Sequence, residues 1–138
     1  MKKIILFASA ILFGAAVMAQ QKVDDVIKMN TEVHNFGKVK QNVPVTYFFE
    51  IKNTSDKPVV VENASASCGC TVPEKPTQPI MPGKSDKLKV VYSAAAVGPI
   101  NKDVYIKLAG VADQKVVHIT GEVLTPEAYD ALPAKDKN

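Results

Sequence analysis

Between Val43 and Lys52 the chain alternates. Val43, Val45, Tyr47, Phe49 and Ile51 are separated by Pro44, Thr46, Phe48, Glu50 and Lys52. A period of two puts successive side chains on opposite faces, so this stretch reads as a strand with one face buried. The rhythm returns at Leu88, Val90 and Tyr92, at Val104, Ile106 and Leu108, and at Val117, Ile119 and Val123. There is no long helical pattern to set against it. A chain built this way must bury its apolar side chains between sheets, which restricts it to a sandwich or a small barrel.

The punctuation between these runs sets the strand count. Residues 32–36 read as a short strand ended by Gly37, and residues 53–58, Asn-Thr-Ser-Asp-Lys-Pro, as a turn. A further strand is predicted from Val59 to about Ala66. Prolines at 73, 76, 79 and 82 follow. Proline has no N–H for a ladder, so this stretch crosses between elements or lies along an edge. Gly110 and Asp113 mark a hairpin-like turn, and Thr125-Pro126 caps one or two helical turns. The pattern predicts an all-β fold, an immunoglobulin-like antiparallel β-sandwich of about seven strands over residues 31–124. Residues 20–30, without period, read as a lead-in with at most one helical turn, and residues 125–138 as a tail. The antibody hallmarks are missing, since there is no tryptophan and cysteines one residue apart cannot join two sheets.

Residues 1–19 read as a cleaved signal peptide. Lys2 and Lys3 precede an apolar run from Ile4 to Val17, and Val17-Met18-Ala19 presents small or aliphatic residues to a peptidase. The run is shorter than the roughly 20 residues of a membrane span. No cysteine stands directly after the cleavage point to carry a lipid, and the mature chain is expected to have no membrane span. Without Lys2 and Lys3 the formal charge of +3 falls to +1, and all 17 basic residues are lysine. Arginine, the usual reader of phosphates and base edges, is absent, which argues against a nucleic-acid partner.

Both cysteines lie in Ser67-Cys68-Gly69-Cys70-Thr71. Three readings stand for Cys68, Gly69 and Cys70. The first is a passive disulfide or simple packing. Closing so small a loop restricts the unfolded chain by only about 1.5 kcal/mol. On an extended strand the two Cα atoms would stand roughly 6.5 Å apart, near the bridging limit of about 6.8 Å, so such a bond is expected to be strained. The second is a redox pair, because strained, exposed disulfides reduce easily. The third is metal binding. Two thiolates suit Cu(I), with His34 and His118 as possible further ligands, although a lone histidine on a strand's polar face is usually solvated. Gly69 fits all three by permitting a bulge.

Weaker candidates complete the set. Asn53-Thr54-Ser55 and Asn63-Ala64-Ser65 match the glycosylation sequon but read as a turn and a strand end. Phe48, opposite in direction to Tyr47 and Phe49, is expected to pack on a flanking segment, with a partner contact as the alternative. Lys87 and Lys89 read as a solvated face. No serine–histidine–acid set, carboxylate pair or glycine-rich phosphate loop can be read off.

The segments His34-Asn35-Phe36-Gly37-Lys38-Val39, Phe49-Glu50-Ile51-Lys52-Asn53-Thr54, Ser67-Cys68-Gly69-Cys70-Thr71 and Ile119-Thr120-Gly121-Glu122-Val123 together resemble a family of exported bacterial domains of unknown function common in Bacteroidetes-type bacteria. Its members are related to the sandwiches of the major sperm protein and cilium-associated type. The resemblance spans residues 32–123 and implies fold and export, not an activity. The expectation is a non-enzymatic binding or structural module of the cell envelope, without cofactor, whose partner is a protein or envelope component. The alternative is a thiol redox or copper-binding protein using Cys68 and Cys70. The periplasm is the expected compartment, and extracellular release its alternative.

Overall fold

The computed structural model describes residues 19–137; the expected signal peptide, apart from Ala19, lies outside them. The alternating runs become eight strands: β1 Ile27–Met29, β2 Val33–Lys40, β3 Val45–Asn53, β4 Val61–Ala66, β5 Thr71–Glu74, β6 Ser85–Tyr92, β7 Gly98–Leu108 and β8 Gln114–Leu124. They form two four-stranded sheets, β1-β3-β6-β5 and β2-β8-β7-β4. The fold is therefore the immunoglobulin-like sandwich that the alternation predicts, and not a barrel. The inward residues meet between the sheets. Phe49, Ile51, Leu88 and Val90 of one sheet and Val104, Ile106, Leu108, Val117 and Ile119 of the other are wholly buried. Burying such side chains contributes roughly 2 kcal/mol each before entropy is charged against it.

The residues before Thr31 are more than a lead-in. A short helix, α1 Val23–Val26, runs straight into β1, and Val23, Val26, Ile27 and Met29 are all buried. β1 pairs antiparallel with the end of β3, Ile27 against Asn53 and Met29 against Ile51. Lys115 of β8, itself buried, reaches out to Asp24 at 2.6 Å and to Glu32, tying this segment across to the second sheet. Three residues of strand escaped the sequence reading because a period of two needs more length than that to register.

Gly37 does not end its strand. β2 runs on to Lys40 and pairs parallel with β8, so the sandwich is not wholly antiparallel. Between Asn35 and Lys38 β2 spends three steps where β8, from Thr120 to Glu122, spends two. The extra residue makes a bulge and moves the inward phase from His34 and Phe36 to Val39. Gly37 adopts φ +68°, and its N–H donates to Asn35 Oδ1 at 2.7 Å. Gly121 of β8 lies directly beneath with φ +146°, and a Cβ there would sit 2.8 Å from the Gly37 carbonyl oxygen. Lys38 and Glu122 form an ion pair beside this crossing. Two of the motif segments of the sequence thus meet at one backbone contact.

The remaining connections follow the reading more closely. β5 is a short edge strand that includes Pro73, paired only with β6. Asn53 is buried, donating through Nδ2 to the carbonyls of Lys57 at 2.7 Å and Ile80 at 2.8 Å, so its sequon is a turn scaffold. Thr125 Oγ1 accepts from the Ala128 N–H at 3.3 Å and caps α2, Pro126–Asp130, with Pro126 at the helix start.

Gly121→Ala combines unfavourable φ with a clash against backbone and is expected to cost about 2–4 kcal/mol. Gly110→Ala, at φ +76° with open space around its Cβ, should cost nearer 1–2 kcal/mol. Urea unfolding of both variants checks this. Equal losses would mean that the Gly37–Gly121 approach is not what Gly121 serves.

Candidate functional site

The cysteines sit where the chain leaves one sheet for the other. Residues 67–70 form the turn between β4 and β5. The Ser67 N–H donates to the Asp103 carbonyl of β7 at 2.9 Å, and Ser67 Oγ accepts from the Asp103 N–H at 3.1 Å. At the far end the Cys70 carbonyl accepts from the Ser93 N–H, just past β6, at 2.9 Å. Within the turn the Cys68 carbonyl accepts from the Thr71 N–H at 3.3 Å. One short turn is thus pinned to both sheets.

Cys68 and Cys70 are joined by a disulfide, with Cα atoms 5.3 Å apart. The strain expected of this bond presupposed an extended backbone. The structure puts the pair in a turn instead, with the Cα atoms well inside the bridging range of about 4.4–6.8 Å. Both cysteines are half-buried, and Cys70 packs against the core. The Thr71 hydroxyl, in a residue only 3% exposed, lies 3.8 Å from one sulfur and 3.9 Å from the other. Gly69 has no left-handed φ, and a Cβ on it would meet open space. The bulge that its glycine was expected to allow is not what the geometry uses.

The two histidines do not join the cysteines. In the β2–β8 ladder Val33 stands opposite His118 and His34 opposite Ile119. Ile119 is buried and Val33 exposed, so His118 faces solvent and His34 the inside. His118 is not merely solvated: its Nδ1 lies 2.5 Å from Asp103 Oδ1. His34 stacks on Tyr47 with ring centroids 3.6 Å apart and meets Phe36 edge-on at 4.7 Å. Among the described residues no cluster of three histidine, cysteine or carboxylate side chains has a metal-binding arrangement.

His34 instead belongs to a second locus. Along one side of the sandwich, the edge strand β2 faces the part of β3 that β1 leaves uncovered. Between them lies a cleft of about 530 Å³ bounded by His34, Phe36, Val43, Val45, Tyr47 and Tyr129. α2 leans on β2 and β8 and supplies Tyr129, and Lys40 holds it there through Asp130 at 2.9 Å. The walls are mainly rings and aliphatic side chains. Burial holds His34 below its ordinary pKa, so the imidazole is neutral at pH 7. This locus was invisible in the sequence, because its walls come from three elements and none of its side chains is unusual.

Phe48 points the other way from this cleft, and among the described residues no flanking segment covers it. It is 49% exposed on the outer face of its sheet, with Lys87 Nζ 5.8 Å above its ring. Lys89 pairs with Glu74 at 3.2 Å.

A family model described as Protein of unknown function (DUF1573) matches residues 27–123. No curated protein matches the chain. Among solved structures, a protein of unknown function from Porphyromonas gingivalis W83 is similar at TM-score 0.62 and 18% identity, over 78% of this chain and 50% of that one. This chain therefore spans about half the length of that relative. The human CEP192 ASH/PapD-like domain is similar at TM-score 0.57 and 8% identity, over 73% of this chain and 87% of that one. WR4, a C. elegans MSP family member, is similar at TM-score 0.51 and 11% identity, over 72% and 99%. At these identities the likeness is one of fold.

Two outcomes follow from the geometry. Because His34 is held neutral by burial, the unfolded chain takes up a proton that the folded chain resists. Stability should be full above about pH 6.5 and fall as the pH drops below it. Urea midpoints from pH 7.5 to 5 should show a shallower fall for His34→Gln than for the natural chain, and parallel profiles would contradict it. Gly69→Ala should change stability by less than about 0.5 kcal/mol and leave the disulfide formed, read by intact mass with and without reductant.

Proposed function

Since the chain belongs to the DUF1573 family, whose description assigns no activity, we propose a function from its own geometry: it is an exported, non-enzymatic binding module of the cell envelope that takes its partner on the open side of the sandwich between β2 and β3. The observation that carries this reading is the ring-lined cleft of about 530 Å³ at that side. Ligand sites are typically concave, with apolar walls and placed polar groups, and this cleft sets its rings and aliphatic side chains beside His34, Lys40 and Thr46. The charged start and apolar run of residues 1–19 support export, with the periplasm as destination and extracellular release the alternative. A protein or envelope component is the partner class, and the lysine-only basic set supports no nucleic-acid role.

The alternative, thiol redox or copper chemistry at Cys68, Gly69 and Cys70, is separated by substitution. In the binding reading, Cys68→Ser/Cys70→Ser keeps fold and partner, while Tyr47→Ala, checked for folding by circular dichroism, weakens capture of the partner by at least tenfold. Capture is read by chemical crosslinking in the native envelope fraction. Metal analysis and a thiol count are made on the same material. Copper at one equivalent, lost with the cysteines, would overturn the binding reading. So would loss of function in the folded cysteine variant alone.

A further inference from the structure

β3 keeps an open edge where β1 leaves it. β1 covers β3 only from Ile51 to Asn53. Asn30 then closes the lane: its N–H donates to the Glu50 carbonyl at 3.1 Å, and its Oδ1 accepts from the Glu50 N–H at 2.8 Å. Glu50 therefore turns both backbone groups to this side. In an antiparallel ladder alternate residues point alike, so Phe48 and Thr46 aim their N–H and C=O groups into the same lane. Among the described residues no strand runs there.

The other edges are defended in the ways that deter stray pairing, by shortness, charge, proline or a bulge. β1 has three residues, β5 carries Pro73 and Glu74, β2 has its bulge with Lys38 and Lys40, and β4 is irregular between Val61 and Asn63 and carries Glu62. Residues 45–49 are Val-Thr-Tyr-Phe-Phe, with no charge and no proline. Among the described residues one edge alone is left sticky, and it borders the cleft.

We propose that the edge of β3 over residues 45–49 takes an extended segment of a partner polypeptide as an added strand, with a large uncharged side chain of that segment entering the cleft. This rests on the reading that the open side is the partner site. Alternate side chains of an added strand would face the cleft on one side and Phe48 on the other, so the edge, the cleft and the exposed ring serve one ligand. The cleft favours an uncharged residue because its walls offer no free charge: Lys40 is engaged by Asp130, and His34 is neutral. A second copy paired edge to edge would satisfy the backbone and leave the cleft empty, which is why a separate segment is the better occupant.

The probe is a capped nine-residue peptide alternating threonine with phenylalanine and valine between terminal lysines. Its twin is N-methylated on alternate amides to remove the ladder donors. The full mature chain should bind the first peptide, shifting the Thr46 and Phe48 amide resonances, and bind the twin at least tenfold more weakly. Thr46→Pro deletes a lane-facing N–H without costing a bond to β6, and Phe48→Lys adds a gatekeeper on an exposed position. Each should weaken binding tenfold or more with the fold retained. Several results would overturn the proposal: no binding at millimolar peptide, equal binding of both twins, or self-association that Thr46→Pro abolishes. Equal binding of the twins together with loss in Tyr47→Ala would sink strand addition and leave the cleft as the partner site. Capture of the native partner unchanged by Tyr47→Ala would sink the cleft as well.

Discussion

The layer of side chains between the sheets decides where everything else can be. Phe49, Leu88 and Val90 of one sheet and Val104, Ile106 and Val117 of the other are wholly buried. That burial holds only while each strand keeps its inward phase. β2 has to change phase along its length, as β4 does between Val61 and Ala64, because His34 and Phe36 point inward before the bulge and Val39 after it. The change needs one extra residue, and the extra residue brings the Gly37 carbonyl down on β8. Only glycine at 121 leaves room for it. A packing requirement thus becomes a backbone requirement at two named positions.

The same layer accounts for the asymmetry of the molecule's sides. Where the sheets are joined by the cysteine turn, Ser67 and Cys70 bond to opposite sheets and the disulfide holds the crossing short. Where they are joined by the β2–β3 loop, the edges diverge and leave the cleft. β1 turns away at Asn30, so β3 loses its neighbour at the point where its sequence is most aromatic. The disulfide lies at a structural crossing, and the unusual surface lies elsewhere, on side chains that are ordinary one at a time.

Much of the fold was legible. The inward residues of β3, β6, β7 and β8 follow directly from a period of two, and the missing N–H of Pro73 left it a crossing or an edge. The cap at Thr125 reads from local chemistry. β1 was missed because three residues carry no measurable period, and the parallel β2–β8 pairing because direction leaves no trace in one strand's pattern. The extended backbone assumed for Cys68 and Cys70 failed for a related reason: alternate positions were placed on a strand that is a turn. Phe48 was expected to be covered, and nothing in its own neighbourhood tells which face of a sheet has a second layer.

By itself the sequence determined which side chains must leave water, and with that the sandwich, its hairpins and its turns, because alternation and turn chemistry act over a few residues. Tertiary structure alone decided which edges stay open, that His34 and His118 face opposite ways, and that His34, Tyr47 and Tyr129 share one cleft. These depend on the pairing of strands far apart in the chain, and hydrogen bonds between backbones are the same whatever the residues that carry them.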